Sequence, residues 1–93
     1  MSYEIVFGDG ALWELDWVPE EILGEIQHAL ERLARDPVRL GERAMFPDPW
    51  KGQKHTFQCR AEDQVYEFVA YFYYHENERE IRIIKVTGAP LIE

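Results

Sequence analysis

Val65–His75, VYEFVAYFYYH, is the stretch on which the fold turns. It is apolar or aromatic on both faces, as a central strand covered from two sides must be. On alternation Tyr66, Phe68, Ala70, Phe72 and Tyr74 share one face, and Glu67, Val69, Tyr71 and Tyr73 share the other. Downstream, His75–Arg79 reads as a hairpin connection, with Asn77 able to take left-handed geometry. Ile81–Val86 then reads as a last strand, ended by Gly88 and Pro90. Upstream, Ala61–Gln64 is a polar turn. Before it His55–Arg60 alternates, with Phe57 and Cys59 on one face and Thr56, Gln58 and Arg60 on the other. The last third is therefore a meander of three antiparallel strands.

The N-terminal half supplies the cover. Tyr3–Phe7 alternates up to Gly8-Asp9-Gly10 and reads as an opening strand. Ala11–Trp17 reads as a short helix, with Asp9 near its start and Trp13 and Trp17 one turn apart. Pro19, followed by Glu20 and Glu21, starts a longer helix. Ile22, Ile26, Leu30 and Leu33 form its apolar stripe, and Asp36-Pro37 stops it. Pro37–Gln53, with three prolines and two glycines, reads as an irregular connector with a turn of helix around Val38–Leu40. The expected fold class is α+β: N-terminal strand, two helices, then the meander, with both helices on one face of a four-stranded sheet. Residues 1–93 are expected to form a single domain.

Composition narrows the functions. No apolar run approaches the roughly 18 residues of a spanning helix, so no membrane role is expected. MSYEIVFGDG lacks the basic and apolar regions of a signal peptide, which makes the cytoplasm the expected location. Cys59 is the only cysteine, which excludes an internal disulfide and a Cys-rich zinc module. Eighteen acids against ten bases give a net charge of −8, which repels phosphate at long range. Residues 1–36 carry −7 of this and residues 63–93 carry −3, whereas residues 37–62 carry +2. A polyanion would have to use the middle third.

Few side chains form a chemical constellation. His28, His55 and His75 lack metal-ligand spacing, so no metal and no cofactor are expected. His55 follows Lys51 and Lys54 and precedes Arg60, which makes His55, Lys54 and Arg60 the candidates for any proton transfer or phosphate contact. Solvated surface cations are the simpler reading of Lys51, Lys54 and Arg60. Cys59, in phase with Phe57, reads as a buried thiol rather than a nucleophile. Val69, Tyr71 and Tyr73 read in two ways. They form an exposed patch that marks a protein partner, or they lie under Phe46 and Trp50 of the connector.

The order of elements and the segments YEIVF, PEEILGEIQHALERLARDP, PVRLGERA, KGQKHTFQCR, VYEFVAYFYY and IRIIKV together resemble the RelE/ParE superfamily of bacterial toxins. The resemblance covers nearly the whole chain. It implies a sheet with helices on one face and a concave second face that carries active residues or meets the partner. It also implies a place in a two-gene toxin–antitoxin module. The RelE branch cleaves mRNA on the ribosome, and the ParE branch inhibits DNA gyrase. Carried over, the family's alternating basic positions on the second strand fall on Thr56 and Gln58, and Arg60 alone keeps a cation. Its Tyr-Arg pair falls on Tyr66 and Glu67, and the chain ends TGAPLIE where the family has basic residues and a tyrosine. Lys51 and Lys54 then read as a residual basic edge. Cleavage of this type needs cations against the developing phosphate charge and groups to move protons.

Two functions follow from these readings. The first is a toxin-like component that binds an antitoxin and a protein target such as gyrase, with mRNA cleavage lost. The second is a non-catalytic interaction domain on the same fold, which binds a protein or forms a homodimer. Both use a partner surface at Arg60, Val69, Tyr71 and Tyr73, and neither uses ribosome or RNA. The excess acid predicts a basic or amphipathic partner segment.

Overall fold

The computed structural model describes residues 3–11, 15–45, 51–61, 63–75 and 77–91, without the side chains of 42–45 and 51. The chain runs β1 (Glu4–Phe7), α1 (Glu20–Arg35), α2 (Pro37–Leu40), β2 (Glu42–Met45), β3 (Lys51–Ala61), β4 (Gln64–His75) and β5 (Glu80–Pro90). The strands make one mixed sheet in the order β1-β5-β4-β3-β2. Only β1 runs parallel to its neighbour, β5, and every other pair is antiparallel. No helix among the described residues is long and apolar enough to cross a membrane.

α1 forms where the apolar stripe predicts it. Pro19 precedes its first turn, and its carbonyl accepts from the Ile22 and Leu23 N–H groups. Glu20 and Glu21 stand at the positive end of the helix and Arg32 and Arg35 at the negative end. Asp36 stops the helix and starts the next, its carboxylate accepting from the Arg39 N–H at 3.2 Å and the Arg39 Nε at 2.9 Å. Ile22 and Leu33 are fully buried, and Ile26 and Leu30 nearly so. They pack on Phe68, Ala70 and Phe72 of β4 and on Ile81, Ile83 and Val86 of β5. The alternation read from Val65–His75 holds: Phe68, Ala70 and Phe72 are buried, and Glu67, Val69, Tyr71 and Tyr73 are half-buried on the other face.

Three expectations are corrected. The sheet has five strands, because Glu42–Met45 of the expected connector pairs with Lys51–Lys54 and extends β3 back to Lys51. Proline and glycine density hid this strand; its prolines, Pro47 and Pro49, lie outside the described residues, as do Phe46 and Trp50 with the question of what they cover. Of the expected helix over Ala11–Trp17, Leu15 lies in 3₁₀ geometry and 16–17 in a turn, while residues 12–14, Trp13 among them, lie outside the described residues. The left-handed residue of the β4–β5 hairpin is Arg79 (φ 51°), not Asn77, and its guanidinium lies 5.0 Å from the Tyr3 ring centroid. A cation on an aromatic face offsets part of the backbone strain there.

Finally, β5 passes through Gly88 to Pro90. Gly88 sits opposite Phe68, and a Cβ there would collide with two carbons of the Phe68 ring. Glycine is therefore required by the aromatic ring crossing it, and it does not break the strand. Gly88→Ala should destabilise the domain by about 1–3 kcal/mol in urea titration. In a Phe68→Ala background the same change should cost little, and an unchanged cost would show that the ring is not the obstacle.

Candidate functional site

With α1 on one side, no described element covers the other side of the sheet, termed the open face. Cross-strand register fixes which side chains meet there. Lys54, Tyr71 and Lys85 stand in one row across β3, β4 and β5, and Thr56, Val69 and Thr87 in the next. Side chains directly opposite in such a row have Cβ atoms about 4.5–5.5 Å apart. Toward the hairpin, Tyr73 is opposite Arg82, whose guanidinium carbon lies 5.9 Å from the ring centroid. His75 packs edge-on to Tyr73 at 5.7 Å. Glu80 accepts from Arg82 Nη2 at 3.1 Å, and this bond raises an already permanent basicity. The open face thus gathers two tyrosines and three cations in a molecule of net charge −8.

A β-bulge assembles this group. Arg82 and Lys85 are three residues apart, so strict alternation would put them on opposite faces. The ladder slips between Tyr71 and Phe72, which pairs Tyr71 with Lys85 and Tyr73 with Arg82 on one face. The same slip buries Ile83 and Val86 together. Sequence reasoning missed Lys85 and Arg82 for this reason. The signal was present in the unequal spacing of the apolar residues Ile81, Ile83 and Val86.

The sequence-predicted site residues are brought together only in part. Val69, Tyr71 and Tyr73 share the open face as expected. Arg60 lies three rows from Lys54 in the ladder, opposite Val65, about 20 Å along β3 at 3.3 Å per residue. Its backbone N–H donates to Glu25 Oε2 at 2.9 Å, which ties that end of β3 to α1. His55 pairs with buried Ala70 and stacks on Phe57 at 5.7 Å, so it faces the helix side while Lys54 faces the open side. The set His55, Lys54 and Arg60 is therefore split by strand alternation. Lys51 contributes backbone opposite Met45, and its side chain lies outside the described residues.

Cys59 is buried beside Phe57, as its phase predicts. Burial, reinforced by the Glu25 carboxylate, pushes its thiol up to about 11, so almost no thiolate exists at neutral pH. Among the described residues no group of three or more His, Cys, Asp or Glu could hold a metal ion.

The arrangement can bind an anionic or aromatic group. Lys54, Lys85 and Arg82 attract carboxylate or phosphate, and Tyr71 and Tyr73 offer flat surface with a polar end. A partner segment on this face is expected to carry acids. The basic or amphipathic segment expected from the net charge would be attracted instead to the acids of α1.

No family model matches the chain, and no curated protein does. Solved structures do. The crystal structure of the toxin–antitoxin complex RelBE2 from Mycobacterium tuberculosis contains a chain that superposes with a TM-score of 0.68 at 20% identity, over 96% of this chain and 93% of that one. The free E. coli toxin RelE, as a double arginine-to-alanine mutant, superposes with a TM-score of 0.62 at 15% identity, over 94% and 83%. Likeness at such low identity is likeness of architecture, and in architecture the chain has the RelE fold.

Proposed function

We propose that this chain is the toxin-like member of a toxin–antitoxin pair and acts by holding protein partners on its open sheet face, without RelE-type mRNA cleavage. The observation that carries this reading is the half-buried patch of Val69, Tyr71 and Tyr73 ringed by Lys54, Arg82 and Lys85. Tyrosine and arginine are the residue types that most often anchor protein interfaces. The fold is shared with a chain crystallised in a toxin–antitoxin complex, which supports an antitoxin as one partner. The separation of His55 from Lys54 and Arg60 supports the loss of cleavage, since proton transfer and charge neutralisation must act on one phosphate.

Expression from a tightly controlled promoter should arrest growth, and co-expression of the adjacent small open reading frame should restore it. Growth unaffected by induction would remove the toxin-like role and leave the non-catalytic interaction domain. Tyr71→Ala should weaken binding of that neighbour's product by roughly 1–2 kcal/mol in calorimetric titration. Part of the affinity should fall as salt rises. Unchanged affinity would place the interface elsewhere.

One observation favours a second reading, in which the open face takes RNA. The bulge puts three cations around two tyrosines, a set able to neutralise phosphate and stack on bases. Primer extension on translated mRNA after induction separates the two. No codon-positioned cuts are expected. Robust cuts that disappear in Lys54→Ala or Arg82→Ala would replace protein binding with cleavage as the activity of this face.

A further inference from the structure

A second surface lies on the helix side. Between α1 and β1 runs an open groove of about 490 Å³, lined by Ile5, Phe7, Leu15, Leu23 and Leu30. Phe7 and Leu23 remain 46% and 42% exposed, so their burial is unfinished within the chain. One side of the groove is the sheet edge, because among the described strands β1 pairs with β5 alone. The Glu4 and Gly8 N–H groups donate inward, to Arg79 and Ile83. Alternation then turns the Ile5 and Phe7 backbone groups outward, along the groove.

The other wall is acidic. Glu31 lines the groove, and helical spacing puts Glu20, Leu23, Gln27 and Glu31 on one stripe of α1 with an acid at each end. Glu4 is exposed at the start of the edge strand, and no lysine or arginine lines the groove. Gly24 lies next to this stripe in the helix interior, where glycine is less favourable than alanine. A Cβ at Gly24 would meet nothing within 4 Å, so packing inside the chain does not call for the glycine.

We propose that this groove holds an extended segment of the protein partner, with apolar side chains at alternate positions and lysine or arginine at both ends. The alternate side chains cover Phe7 and Leu23, the segment's backbone pairs with the β1 edge, and its flanking cations meet Glu20 and Glu31. The proposal rests on the reading that the chain works by holding a protein, but not on growth arrest.

The test uses the whole chain and three synthetic peptides: KRVTLTVRK, its acid-flanked form EEVTLTVEE, and KRSTSTSRK, which lacks the apolar positions. Amide shifts in nitrogen–proton spectra locate binding. KRVTLTVRK should bind at least tenfold more tightly than either control, with shifts concentrated at residues 4–8 and 20–31. Leu23→Glu should weaken it tenfold or more without altering the melting temperature. Leu23→Gln, which adds no charge, should weaken it severalfold and serves if the first variant folds poorly. Glu31→Lys should narrow the preference for basic flanks. Absence of binding at millimolar peptide, equal binding of all three, or shifts centred on Tyr71 and Tyr73 would overturn the proposal. A chain that binds the peptide in the groove but leaves growth unaffected loses the toxin-like role and keeps this surface.

Discussion

Phe68→Ala is expected to remove about 3–5 kcal/mol of stability. The ring is fully buried at the centre of β4 and touches nearly every layer of the helix-side core. It stacks on Phe57 at 5.7 Å from β3 and on Trp17 at 6.5 Å from the loop before α1, and it crosses Gly88 of β5. No neighbour can close the void easily, because Gly88 has no side chain and Phe57 is held in its own strand. Domains of this size have roughly 5–15 kcal/mol in total, so the variant should be near its unfolding limit at 37 °C. In urea the midpoint should fall with the slope unchanged. A loss below about 1 kcal/mol would mean that the core does not depend on this ring.

Leu30→Ala should cost about 2–5 kcal/mol. Leu30 is 3% exposed and joins the helix stripe to the sheet, but it also forms part of the groove beside β1. Truncation would open that groove toward solvent instead of sealing a dry cavity, which favours the lower half of the range. Leu23, two turns away and 42% exposed, is the control. Leu23→Ala should change stability by less than about 1 kcal/mol, since little of its surface is buried on folding. Equal losses at the two positions in parallel urea titrations would contradict the packing described for α1.

The elements with unbroken periodicity were legible in the sequence. α1 was readable because more than four turns of amphipathic spacing lie between two prolines, and β4 because Val65–His75 is apolar or aromatic on both faces. What stayed hidden has local causes. β2 is four residues long and owes its existence to pairing with β3, so nothing within Glu42–Met45 announces a strand. Gly88 reads as a stop signal until the Phe68 ring across from it is known. The patch at Tyr71 and Tyr73 was legible on its own strand, whereas the cations beside it were not. Lys85 and Arg82 join it through a one-residue slip, and alternation counted along IRIIKV separates them. Arg60 was assigned to the patch by face alone, and face carries no information about distance along the strand.

The parallel pairing of β1 with β5 has a consequence for synthesis. Glu4 leaves the ribosome long before its partner Glu80. Until β5 emerges, β1 has no strand to pair with, and Ile22, Ile26 and Leu33 of α1 have only part of their core. The contact that completes the sheet is thus one of the longest-range contacts in the chain, which slows folding and postpones it until β5 has emerged. A nascent chain stalled before Glu80 carries neither the bulge that gathers Lys85 and Arg82 nor a finished groove beside β1. Both candidate surfaces therefore take shape only once β5 has emerged.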